Sequence, residues 1–117
     1  MTEYIVLLPG DEAAWAAATE DQRQATYQKH REFAKLLEER GLRVTGGSEL
    51  AHSGEAKTLR TGSDGKQSVT DGPYSEAVEQ LTGFYLIEAA SIDEVVDACR
   101  VLGEGEGLIE VRACKGM

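Results

Sequence analysis

Cysteine is scarce in this chain, because its 117 residues contain only Cys99 and Cys114 and no Cys-x-x-Cys pair. Cys99 lies on the apolar stripe of a predicted helix, and Cys114 lies near the end of the sequence. Redox and zinc sites use closely spaced thiols, so this spacing opposes both kinds of site. We therefore expect two reduced thiols.

Basic residues are few compared with acidic ones, at 12 lysines and arginines against 21 aspartates and glutamates, and the formal net charge is -9. Nucleic acids and anionic lipids carry the same sign of charge and are repelled. No apolar run approaches the length of a membrane span, and no basic residue precedes the first strand. We expect a cytoplasmic protein with no nucleic-acid and no membrane partner.

Several cofactor and catalytic motifs are also missing. The sequence has no Gly-x-Ser-x-Gly elbow, no P-loop and no dinucleotide fingerprint. His52 has no second histidine or cysteine spaced to join it in a zinc site. We therefore predict no cofactor and no metal. A Mg²⁺ or Mn²⁺ site made of oxygen ligands from Asp71, Glu76 and Glu79 is the one metal alternative that the sequence leaves open.

The chain does contain a regular order of strands and helices, which we assign to one domain of residues 1–117. Apolar and alternating patterns predict strands at residues 4–8, 42–50, 57–61, 66–70, 83–90 and 108–113. A capping box at Thr19 starts a helix that ends at Gly41, and a second box at Ser91 starts a helix whose apolar stripe stops at Gly103. Asp11 caps a short alanine-rich turn before the first of these helices.

This order of elements is two βαβ units with a hairpin between them. Right-handed crossovers place both helices on one face of a single sheet, which predicts an α+β fold of the ferredoxin-like sandwich type. The other face of the sheet then has no cover. Since a second copy of the chain is the simplest cover for an apolar face, we expect a homodimer.

The segment DGPYSEAVEQLTGFYL, residues 71–86, resembles the signature of the DGPF group within the YCII-related domain family. The opening YIVLLPGDEAAW, residues 4–15, and the closing IEVR, residues 109–112, are similar to that family too. The resemblance implies a dimeric α+β barrel. Some relatives are lyase-like enzymes acting on small aromatic compounds, and DGPF members are often associated with extracytoplasmic-function sigma factors. The chain departs from the usual text in having Tyr74 for phenylalanine and Ala77-Val78 for Thr-Lys.

His30 lies in the middle of the apolar stripe of the first long helix. An imidazole takes and gives protons near neutral pH, and a neighbouring carboxylate fixes its tautomer. We predict Asp71 as that carboxylate, so His30 and Asp71 are the candidate catalytic residues. The position of His30 before Gly41 also resembles that of the histidine by which YCII-related proteins are suspected to act. The alternative is a histidine that packs in the core or at a dimer interface.

The corner at Asp71-Gly72-Pro73 is rigid, because proline fixes its own φ and restricts the residue before it. We expect Glu76 and Glu79 to follow it on one side of a short helical turn. The candidate ligand-binding residues are Glu76, Glu79, Tyr74 and Tyr27. The alternative is that the corner is only a folding element with Asp71 as its cap.

Two classes of function remain open. In the first, a cofactor-independent lyase, isomerase or hydrolase acts on a small molecule with a His-Asp pair. In the second, the cavity that we expect between the first long helix and the sheet belongs to a non-enzymatic small-molecule-binding or regulatory module linked to an extracytoplasmic-function sigma factor.

Overall fold

The computed structural model describes residues 1–116, apart from the side chain of Glu104. A four-stranded sheet has the order β2-β5-β1-β6, with every neighbouring pair antiparallel. Its strands are β1 Thr2–Asp11, β2 Arg43–Glu49, β5 Glu79–Ala89 and β6 Glu110–Ala113. The helices are α1 Glu12–Ala17, α2 Glu20–Glu39 and α3 Ile92–Glu106. A separate two-stranded sheet pairs β3 Lys57–Thr61 with β4 Gln67–Asp71. The α+β fold expected from the order of elements, consistent with the ferredoxin-like type, is confirmed.

Local side-chain contacts fix where the first two helices begin. Asp11 accepts a hydrogen bond from the Ala14 N–H at 3.1 Å and so caps α1. Thr19 and Gln22 bond reciprocally at the start of α2, at 3.1 Å and 2.9 Å. Both predicted caps are therefore present, and Gly41, at φ 69°, ends the α2 region as predicted.

Helix α3 is longer than its sequence predicts, since it continues through Gly103 to Glu106. Glycine inside a helix costs only about 1 kcal/mol relative to alanine, so a single glycine does not stop one. The backbone turns to positive φ at Gly107, where φ is 71°. The predicted end at Gly103 is wrong, and the extra turn places Glu106 where its side chain is only 13% exposed.

The helical turn predicted after the Asp71-Gly72-Pro73 corner is also absent. Residues 72–78 form an irregular loop, and Glu79 already belongs to β5. The physical reason is pairing, because Glu79 lies opposite Asp11 in the antiparallel ladder with β1. Ladder hydrogen bonds hold this residue extended, so Glu76 and Glu79 do not share a helix face.

The hydrophobic core lies between one face of the sheet and the helices α2 and α3. The largest fully buried side chains are Phe33, Leu37, Ile87, Leu102, Val6 and Val95. On the opposite face, Ile5 lies across from Leu86 and Leu7 from Phe84, and all four are only half-buried in the single chain. The sheet therefore has one covered and one uncovered apolar face. No helix among residues 1–116 combines the length and apolar character needed to cross a membrane.

Two glycine-to-alanine substitutions are expected to change stability in opposite directions. Gly47 has a φ of 147°, and a Cβ added there would lie 2.7 Å from the Phe84 carbonyl oxygen. We expect Gly47→Ala to lower the free energy of unfolding by about 1–3 kcal/mol. A Cβ at Gly103 meets no described atom within 4 Å. Gly103→Ala is expected to raise the free energy by roughly 0.5–1 kcal/mol, because alanine is the better helix former.

Urea unfolding of the two variants beside the unchanged protein measures both effects. A Gly47→Ala protein as stable as the parent would contradict the close approach of β2 to β5. A destabilised Gly103→Ala protein would contradict the extension of α3 beyond Gly103.

Candidate functional site

A cleft of about 1130 Å³ opens on the helix side of the sheet. Its walls come from the end of β1, helix α1, the first half of α2, strands β2 and β5, the loop after β2 and the last turn of α3. The lining residues with an aromatic or imidazole ring are Trp15, Tyr27, His30, His52, Phe84 and Tyr85. The volume is slightly above the roughly 300–1,000 Å³ of typical small-molecule sites, which combine apolar walls with a few fixed polar groups.

His30 is held by hydrogen bonds at both ring nitrogens. Its Nδ1 lies 2.7 Å from the Tyr85 hydroxyl and its Nε2 lies 2.8 Å from Glu106 Oε1. Because an ionised carboxylate only accepts hydrogen bonds, we assign the imidazole proton of the neutral ring to Nε2. Nδ1 then accepts from the Tyr85 hydroxyl. The three side chains form a series in which Tyr85 donates to His30 and His30 donates to Glu106.

Each member of the series is positioned by a different element. His30 lies in the middle of α2, Tyr85 on β5 and Glu106 at the end of α3. The Tyr85 ring packs edge-on against buried Phe33 at 5.1 Å and stacks with His30 at 5.9 Å. Burial, and then the charge of Glu106, raise the pKa of the Tyr85 hydroxyl. Tyr85 is therefore a phenol at neutral pH and is able to donate to Nδ1.

Glu12 connects α1 to the loop after β2. Its carboxylate accepts hydrogen bonds from the Ser53 N–H at 2.7 Å and from the Ser53 hydroxyl, and His52 Nε2 lies 3.8 Å away. Burial acts to raise the pKa of Glu12, but the bonds from Ser53 and the His52 imidazole outweigh it, so the pKa is lowered. An ionised carboxylate therefore lines this end of the cleft.

A third group of lining side chains, Trp15, Tyr27 and Glu49, forms an aromatic corner of the cleft that is separate from the Asp71-Gly72-Pro73 corner. The rings of Trp15 and Tyr27 are 5.6 Å apart and almost perpendicular, at 84°. The Tyr27 hydroxyl lies 3.2 Å from both carboxylate oxygens of Glu49. Burial, followed by Glu49, raises the pKa of Tyr27, so this hydroxyl is also a donor at neutral pH.

The sequence of this chain is similar to those of known proteins over nearly its whole length. Residues 2–117 match the model of the YCII-related domain. The chain belongs to the YCII-related domain family. An uncharacterized protein of Rhizobium meliloti (strain 1021) is 35% identical over 112 residues, which cover 93% of this chain and 89% of that protein. The family resemblance seen in the sequence is therefore confirmed, and the family description names no reaction.

The candidate residues of this YCII-related protein fall in two places. His30 and Tyr27 line the cleft, whereas Asp71 does not. The Asp71 side chain is 80% exposed, and Lys57 Nζ lies 2.6 Å from its carboxylate. The expected pairing of Asp71 with His30 does not occur within this chain. The reason is that β4 pairs with β3, which places Asp71 directly opposite Lys57 on a hairpin outside the main sheet.

The other predicted ligand-binding residues also lie outside the cleft. Tyr74 is 82% exposed, and Glu76 and Glu79 are exposed as well. The loop that carries them is organised by Gln80, whose amide donates to the Ser75 and Ala77 carbonyls at 2.7 Å and 3.0 Å. Their roles in binding stay predictions. In the described part of the YCII-related chain, no group of three histidine, cysteine, aspartate or glutamate side chains is arranged to hold a metal ion.

The sequence did not lead us to predict Glu106 or Tyr85 as site residues. Tyr85 had a signal, because it alternates with Ile87 and Ala89 on the buried face of β5 and must therefore point at the helices. Glu106 was hidden by the glycine-rich run of residues 103–107, which resembled a loop. Gly107 was the better candidate for the end of the helix, since it is the last glycine before the closing strand.

Proposed function

We propose that the cleft of this YCII-related protein binds a small molecule and that His30 transfers protons there through Tyr85, without a cofactor. The observation that carries the proposal is the hydrogen-bonded series from Tyr85 through His30 to Glu106 on the cleft wall. A reacting group, a base and a third group that orients the base are the parts of an activated acid–base site. The most suitable reactions are isomerisation or elimination.

The hydrogen bonds of His30 support Tyr85 as the residue that meets the ligand. Both nitrogens of His30 already have partners, so the group presented to the cleft is the Tyr85 hydroxyl. A proton leaving the ligand moves to the Tyr85 oxygen while the Tyr85 proton moves to His30 Nδ1. The resulting imidazolium is stabilised by the Glu106 carboxylate, 2.8 Å from Nε2. The reverse transfer returns the proton to another atom of the ligand, and no free phenolate forms.

The second candidate is a binding module without chemistry. The same hydrogen bonds favour it, since a series in which every donor and acceptor has a partner also holds α2, β5 and α3 together.

Membership of the DGPF group, which is associated with sigma factors, is a proposal based on the sequence Asp71-Gly72-Pro73-Tyr74. A cytoplasmic location likewise stays a proposal, based on charge and composition.

Proton exchange with solvent tests the catalytic role without knowledge of the product. Small carbonyl and hydroxylated aromatic compounds that bind the protein would be incubated with it in D₂O, and deuterium incorporation into carbon positions would be followed by mass spectrometry. We expect catalysed incorporation with the unchanged protein and none above background with His30→Gln. Binding with no incorporation by either protein would favour the binding module.

We also propose that the chain forms a homodimer through the uncovered face of its sheet. Four half-buried apolar side chains, Ile5, Leu7, Phe84 and Leu86, lie together there. Light scattering at micromolar concentration is expected to give twice the chain mass of 12.6 kDa. Leu7→Lys is expected to give the mass of one chain, because it places a charge in an apolar contact.

Leu59→Lys is the matched control, since Leu59 is 61% exposed on the β3–β4 hairpin. We expect it to leave the mass doubled. A single-chain mass for the unchanged protein would contradict the homodimer, and loss of the dimer in Leu59→Lys alone would move the contact to the hairpin.

A further inference from the structure

The cleft is lined by charges of one sign. Its acidic lining residues are Asp11, Glu12, Glu49 and Glu106, and no lysine or arginine occurs among its described lining residues. The described ion-pair partners of these carboxylates are the imidazoles of His52 and His30, which carry a charge only when protonated. An anionic ligand would therefore meet like charges, whereas a cationic ligand would meet opposite ones.

We infer that the ligand of this cleft is a small amine, bound as its ammonium ion at the corner of Trp15, Tyr27 and Glu49. This inference depends on the proposed function, because it names the class of small molecule that the cleft takes. The edge-to-face pair of Trp15 and Tyr27 supplies aromatic surface for the cation, and the Glu49 carboxylate supplies the opposite charge. Aromatic faces with a neighbouring anion are the usual recognition chemistry of ammonium groups.

The corner is built before any ligand arrives. The Tyr27 hydroxyl lies at the same distance, 3.2 Å, from both oxygens of Glu49 and so restrains that carboxylate beside the rings. On the indole, Arg23 lies 5.8 Å from the ring centroid and is fixed by donating to the Trp15 and Ala16 carbonyls. The indole thus already stacks one cation. Arg23 is not part of the cleft lining, but its charge acts to lower the pKa of the Tyr27 hydroxyl, where the opposing effect of Glu49 is larger.

The corner is one helical turn from the proton-transfer series. Tyr27 and His30 are three residues apart on α2, a spacing that places their Cβ atoms about 5–6 Å from each other. A molecule anchored by its ammonium group at Glu49 therefore has its neighbouring atoms beside Tyr85 and His30. The geometry favours a compact amine whose reacting carbon or hydroxyl lies a few bonds from the nitrogen.

Three probes that share one ring separate charge from shape: benzylamine, benzyl alcohol and benzoate. Trp15 is the only tryptophan in the chain, so its fluorescence reports binding at the corner directly. We expect benzylamine to bind at least tenfold more tightly than benzoate, with benzyl alcohol between them. The preference should shrink as salt is added, because the charges are partly solvated.

Glu49→Gln is the decisive variant, with Glu39→Gln as its matched control at the exposed end of α2. Both remove one negative charge from the protein. We expect only Glu49→Gln to weaken benzylamine binding, by about tenfold, with benzyl alcohol unaffected. Equal binding of all three probes, or equal effects of the two variants, would overturn the inference and leave the small-molecule site standing. Binding of none of the probes at millimolar concentration would overturn the proposed function as well.

Discussion

Replacing Tyr85 with phenylalanine is expected to slow proton exchange in a bound ligand by about 10²–10⁴-fold, the usual contribution of one positioned acid–base group. The substitution removes only the hydroxyl group from the ring. This hydroxyl is also the donor to His30 Nδ1, 2.7 Å away, so the variant separates the ligand from the base. The phenylalanine ring keeps its contact with Phe33, and the fold should be retained.

The rate of deuterium incorporation measures the loss, and nitrogen NMR of the imidazole shows whether Nδ1 has lost its donor. Tyr74→Phe removes the same hydroxyl from the exposed loop after β4. We expect it to leave the rate unchanged, and a loss there would instead support the ligand-binding role predicted for Tyr74. A full rate in Tyr85→Phe together with an altered Nδ1 signal would show that the series is structural only.

Phe33→Ala is expected to reduce the free energy of unfolding by about 3–5 kcal/mol, the range for deleting a buried aromatic ring. Phe33 is completely buried, and its ring lies 5.1 Å from that of Tyr85. The substitution opens a cavity directly beneath the site. Because Tyr85 then loses its packing partner, the proton-exchange rate should fall with stability even though no polar group is changed.

Denaturant unfolding at one fixed protein concentration measures the first effect, since association contributes to apparent stability. Leu59→Ala is the control, because Leu59 is 61% exposed and its loss should change stability by no more than about 0.5 kcal/mol. A loss below about 1 kcal/mol in Phe33→Ala would contradict the placement of this residue at the centre of the core.

Most of the fold was predictable because its signals are local. The Thr19–Gln22 box, the Asp11 cap and the Ser91 cap each act over three residues, and all three are present. The hairpin at β3 and β4 and the alternation along β5 were equally readable. The order of these elements then restricted the topology to a few arrangements, of which the observed sheet is one.

The candidate site was only partly predictable. His30 and Tyr27 follow from helix periodicity, which places them on one face of α2 and hence in the cleft. The choice of Asp71 as the partner of His30 failed because it depended on where a hairpin lies relative to a helix. No local pattern specifies that relation, and Asp71 is instead paired with Lys57 across its own hairpin.

The sequence by itself determined the type and order of the elements, the caps and the family, since each of these depends on contacts within a few residues or on text along the whole chain. Tertiary structure alone decided the partner of His30. Glu106 is 76 residues away along the chain and reaches the imidazole because α2 and α3 pack on the same face of the sheet. A contact between such distant residues is selected by the packing of whole elements, and packing is a property of the folded chain.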